Sequence, residues 1–115
     1  MNSNDFRKRT KASALRVIRL VDSLPNSQTS RTIGGQLLRA GTSVGANYRA
    51  ACRARSTPDF VAKMGIVEEE CDESTYWMEL LVEAGIMKES RIAGLLKEAD
   101  EILSMVVSSI KTSRK

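Results

Sequence analysis

A chain of 115 residues with a formal charge of +4 has room for one hydrophobic core, not two, so a single domain over residues 1–115 is expected. No apolar run approaches the roughly 18 residues a membrane span needs. The opening MNSNDFRKRTK also lacks the apolar centre of a secretory signal, so a cytoplasmic protein without a membrane partner is expected. There is no histidine, and Cys52 and Cys71 fit neither a metal-ligand spacing nor a disulfide framework. A metal centre, a cofactor site and histidine-based catalysis are therefore not expected.

Taken in chain order, the first helix is predicted at about residues 4–23. Phe6, Ala14, Val17, Ile18 and Val21 share one of its faces, and Pro25 in LPNS prevents its continuation. The second is predicted at about 28–55. Its seam of Ile33, Leu37, Ala40, Val44, Asn47 and Ala51 steps by four and three, as in a helix packed along its whole length. The stretch GGQLLRAGTSVGANYRAACRARS is glycine-rich, but it lacks the Gly-Lys-Ser/Thr ending of a phosphate loop and follows no strand. It reads instead as a slim helix.

STPDF is the clearest boundary, with Thr57 expected as N-cap, Pro58 at the first helical position and Asp59 at the positive end of the dipole. The third helix, about 58–84, carries Phe60, Met64, Val67, Cys71, Ser74, Met78 and Leu81 at the same spacing and ends at Gly85. The fourth, about 90–112, presents Ile92, Leu95, Ala99, Ile102, Val106 and Ile110. Short connections make neighbours antiparallel, so the expected fold is an all-α, up-down-up-down four-helix bundle.

Charge is unevenly distributed: residues 1–57 carry a net +9 and residues 58–115 a net −5. Alternating helix directions would gather Arg7, Lys8, Arg9 and Lys11 from the first helix with Arg49, Arg53, Arg55 and Lys63 around the second turn. The C-terminal Lys111, Arg114 and Lys115 would join them. In the register that the tight turn imposes, Arg53 meets Asp59 and Arg39 meets Glu73, while Arg49 lies opposite Lys63 without an acid. A basic pole of this kind suits a phosphate backbone, and without interleaved aromatics it would read shape and charge more than sequence.

VEEECDESTYW supplies the opposite sign on the third helix. Asp72 and Glu73 lack a nucleophile, histidine or metal-ligand partner in sequence, so a solvated or subunit-facing surface is expected and an enzyme is not. A basic and an acidic surface on different helices favour head-to-tail contact between copies, which closes into a ring where the rotation permits. Gly41, Gly45, Asn47, Glu69, Glu73, Tyr76 and Trp77 are the expected contact residues of such a homo-oligomer.

From Gln36 to Ile86, QLLRAGTSVGANYRAACRARSTPDFVAKMGIVEEECDESTYWMELLVEAGI resembles the core signature of the small bacterial four-helix-bundle proteins encoded within intervening sequences of 23S ribosomal RNA. That family is similar in fold to the accessory variability proteins of diversity-generating retroelements. The resemblance implies a homopentameric ring with an RNA- or DNA-binding surface and no enzymatic activity. It carries over to Arg39, Ser43, Asn47, Arg49, Arg53, Ser56, Asp59, Phe60, Glu70, Glu73, Tyr76 and Trp77; Ala50 stands where relatives carry glutamate. The alternative is a protein–protein scaffold, for example for a reverse transcriptase or another acidic partner.

Overall fold

The computed structural model describes residues 2–115. Among these residues there are four α-helices and no strand: α1 (Ser3–Asp22), α2 (Gln28–Ala51), α3 (Thr57–Glu83) and α4 (Glu89–Ser113). The chain is all-α, with principal extents of 45 × 22 × 20 Å.

Polar side chains next to the helices set three of the starts. Asn2 accepts the Asp5 N–H at 2.8 Å, Ser27 that of Ser30 at 3.1 Å and Ser56 that of Asp59 at 3.2 Å. Each satisfies an amide that the first turn of a helix leaves without a partner. The cap of α3 is thus Ser56 and not the expected Thr57, which is the first helical residue. The second helix also stops at Ala51, short of Arg55, because residues 52–56 are needed to turn the chain into that cap. The other end of α3 follows expectation. Gly85 has φ +73°, Ile86 N–H reaches the Leu81 carbonyl at 3.0 Å and Gly85 N–H reaches that of Val82 at 3.0 Å. This is the left-handed glycine closure that a β-carbon would strain.

The stripes meet in one core. Leu37, Ala40, Val44 and Ala51 of α2 are buried with Met64, Val67, Cys71, Ser74, Met78 and Leu81 of α3 and Ile92, Leu95, Ala99, Ile102, Val106 and Ile110 of α4. From α1 come Phe6, Thr10 and Val17; Ile18, expected to face inward, lies at the surface. Asn47 is also off the core. The neighbouring Tyr48 takes the buried place, its ring edge-on to Phe6 with centroids 4.6 Å apart. Burial pushes the Tyr48 hydroxyl up to about 12 and the Cys71 thiol up to about 11. The Cys71 thiol donates to the Ala99 carbonyl at 3.2 Å, and Cys52 is exposed.

Each helix packs on its chain neighbour, and α1 touches α4 more sparsely. Along α1 and α2 the residue numbers run in opposite senses: Phe6 meets Tyr48, Thr10 lies at Gly45, Val17 at Gly41, and Val21 and Leu24 at Gly34. This close approach depends on small residues. A β-carbon on Gly41 would lie 2.9 Å from both methyl carbons of Val17, and one on Gly45 would lie 3.2 Å from the Thr10 hydroxyl. Gly41 and Gly45, expected at a contact between copies, face α1 of their own chain instead.

Candidate nucleic-acid interface

Where α1 settles onto the thin face of α2, the side chains beside the seam diverge and leave a groove. From α1, Arg7, Lys8 and Lys11 line it; from α2 come Thr42, Ala46 and Arg49. Residues three and four apart share a helix face, so Arg7 and Lys11 lie one above the other, as do Thr42 and Ala46. The groove holds ≈ 510 Å³ and has no carboxylate in its lining. None of its four cations is in an ion pair among the described residues. Four like charges over one concavity reinforce each other within a Debye length of about 8 Å, which attracts a polyanion.

The other expected basic residues are placed differently. Arg9 points away from the groove to α4. Its Nε donates to Glu98 Oε2 at 2.7 Å, and its Nη2 to Glu98 Oε1 at 2.7 Å and to Glu101 Oε1 at 2.6 Å. The charge is spent within the fold, so Arg9 is removed from the expected binding set. At the second turn, Asp59 accepts Lys63 Nζ at 2.6 Å and the Arg55 N–H at 3.1 Å. Lys63 first, then the Arg55 amide, hold the Asp59 carboxyl below the usual range. Lys63 is therefore not the unneutralised partner of Arg49, and the expected Arg53–Asp59 pair does not form. Arg53 and Arg55 stay exposed, beside Lys63 and Asp59.

Hydrogen bonding from Arg9 holds the Glu98 carboxyl below its ordinary value against a desolvation that opposes it, with Arg16 adding a smaller pull. A depressed folded pKa means that the stabilisation is fully present above the unfolded carboxylate value of about 4.3 and is lost as pH falls through the folded value. Arg9→Gln is expected to cost about 1–2 kcal/mol at neutral pH, a forked and partly buried pair standing above the exposed-pair range. Urea melts of the two proteins should show that difference at neutral pH and show it disappearing under acid conditions. An equal difference at both would contradict the pairing.

Among the expected contact residues, Glu73 accepts from Nη2 of Arg39, whose Nη1 lies 3.1 Å from Glu70 Oε2. Glu73 is therefore partnered within the chain, as the register of the second turn anticipates. Asn47 donates to the Ser43 carbonyl of its own helix at 2.9 Å. Glu69 is exposed. Tyr76 is 53% exposed and meets the ring of Trp77 edge-on at 5.0 Å. Trp77 is packed against the core, and its buried indole N–H has no partner among the described residues. No group of three or more Cys, Asp or Glu residues among those described could hold a metal ion, and no helix is long and apolar enough to cross a membrane. The sequence reading missed Glu98 and Glu101. Their three-residue spacing on α4 is the only local sign that they act together, and nothing in it names Arg9.

The family model for the 23S rRNA-intervening sequence protein matches residues 2–108. A crystal structure of a protein of unknown function from the S23 ribosomal protein family of Bacteroides thetaiotaomicron is similar at a TM-score of 0.89 and 33% identity. The similarity covers 96% of this chain and 99% of that one. No curated protein matches. The signature from Gln36 to Ile86 and the four helices around it place the chain in one group: it belongs to the 23S rRNA-intervening sequence protein family.

Proposed function

We propose that the protein is a non-enzymatic, cytoplasmic, ring-forming bundle of up-down-up-down helices that binds structured RNA or other nucleic acid through the groove between α1 and α2. The observation that carries this reading is the set of unpaired cations, Arg7, Lys8, Lys11 and Arg49, around a groove without a carboxylate. Arg53 and Arg55 extend the cationic surface. The groove's lining includes no aromatic side chain on which a base could stack, so recognition rests on phosphate spacing and shape. The test is the affinity for a structured RNA over a range of salt, for the native protein and for a variant with Arg7, Lys11 and Arg49 replaced by Gln.

The ring is a homopentamer in this reading, and α3 supplies one side of its contact. Glu69, Asp72 and Tyr76 are exposed and follow one another by three and four residues, an acidic strip with an aromatic anchor. It would meet exposed cations outside the groove on the next copy. Light scattering is expected to give a mass near five times the 12.7 kDa of one chain, and Tyr76→Asp is expected to lower it. A native mass of one chain would contradict the ring.

A second reading has its own observation. Leu15, Ile18 and Leu38 are 45%, 36% and 37% exposed. Lys11, Leu15 and Ile18 follow by four and three residues, and Leu38 lies one turn before Thr42, so apolar surface continues directly from the groove. A scaffold that docks an acidic protein, such as a reverse transcriptase, would use both. A partner retained after nuclease treatment favours this reading, and its loss favours nucleic acid.

A further inference from the structure

A second group of arginines lies on the opposite flank of α1, at the seam with α4. Arg16 and Arg19, three residues apart and so on neighbouring parts of one face, converge with Arg91 from the first turn of α4. Together they rim a cavity of ≈ 260 Å³ floored by Leu20, Met87 and Leu95. Met87 and Leu95 are 6% and 4% exposed, so the floor is part of the core. None of the three arginines is in an ion pair among the described residues. Glu98, the carboxylate near Arg16, already has both oxygens engaged by Arg9.

A β-carbon on Gly94 would lie 3.1 Å from Arg16 Nη2. The tip of the Arg16 side chain therefore lies across α4 at Gly94. The cavity is slightly smaller than the roughly 300–1,000 Å³ of drug-sized ligand sites. It suits a phosphate and the sugar ring next to it, with a base at the open side. Three planar guanidinium forks match an anion with three terminal oxygens and a charge of about −1.5 to −2, which a phosphomonoester has and a phosphodiester lacks.

We propose that Arg16, Arg19 and Arg91 form a site for a terminal phosphate, as carried by a mononucleotide or by the end of a strand. The site is separate from the groove between α1 and α2 and does not depend on its proposed role. Calorimetric titration with 5′-AMP and with adenosine tests it. AMP should bind and adenosine should not, and Arg16→Gln or Arg91→Gln should each weaken AMP about tenfold or more. Both variants should keep the helical circular dichroism and urea midpoint of the native protein, which separates loss of the site from loss of the fold. The Arg7, Lys11 and Arg49 variant should bind AMP unchanged, so failure of the groove reading and failure of this one are distinguishable.

A short RNA with and without a 5′-phosphate separates the two sources. A gain from the phosphate beyond the affinity for AMP identifies a strand end, and equal affinity identifies the mononucleotide. AMP binding no better than adenosine, or binding unaffected by Arg16→Gln and Arg91→Gln, would overturn the proposal.

Discussion

Gly41→Leu is expected to cost about 3 kcal/mol of folding stability, while Gly35→Ala in the same helix is expected to add about 0.5–1 kcal/mol. The opposite signs follow from what each new side chain meets. At Gly35 a β-carbon finds nothing within 4 Å, so alanine contributes only its better helix propensity. At Gly41 even the first carbon would lie 2.9 Å from both methyls of Val17, which is 3% exposed. Val17 is β-branched and has one strongly favoured rotamer in a helix, so it cannot withdraw both methyls by turning. The remaining escape is to push α1 away from α2, which opens the core around Val44 and Met78. Chemical denaturation of both variants measures the effect. A neutral Gly41→Leu would show that the glycine does not serve the seam within the chain.

The second large effect concerns binding. Replacing Arg7, Lys11 and Arg49 by Gln is expected to abolish most RNA affinity at low salt, whereas Arg9→Gln with Lys63→Gln is expected to leave it within about twofold. Both sets are arginines and lysines expected at the same basic pole, and the difference lies in their partners. The first three line a groove without an acid, and their charge is available to phosphate. Arg9 and Lys63 are already neutralised by Glu98, Glu101 and Asp59. Filter binding or fluorescence anisotropy on a structured RNA measures both sets. Equal losses in the two would mean that total charge, not the groove, governs binding.

Much of the architecture could be read from spacing because the information is local. The alternation of four and three residues along α3 and α4 identified nearly every buried position, since one face must be apolar whatever it packs against. STPDF located the start of α3 within one residue, and Gly85 marked its end, because caps are solved by side chains next to the backbone groups they satisfy. Asn47 shows where spacing failed. After Val44 the buried face steps by four to Tyr48 and then by three to Ala51, the reverse of the expected three and four, and both orders fit the 3.6-residue turn of a helix.

The site was less legible than the fold. That Arg7 and Lys11 share a strip follows from α1 alone, but which neighbour that strip faces depends on how α1 is rotated about its axis. That rotation is set by Val17 seating at Gly41 and Thr10 at Gly45, a pairing between residues far apart in sequence. The same rotation turns Arg9 to α4 and brings Arg16 and Arg19 beside Arg91. The sequence marks α2 as a slim helix, and only the packed structure identifies α1 as the helix that lies against its glycines.

Phosphate capture by the groove is tested most directly by the slope of log affinity against log salt for one structured RNA. The native protein is expected to show a steep negative slope, and the Arg7, Lys11 and Arg49 variant a slope shallower by about two to three, close to one unit for each lost contact with a duplex. Identical slopes for the two proteins, with both folded, would contradict it.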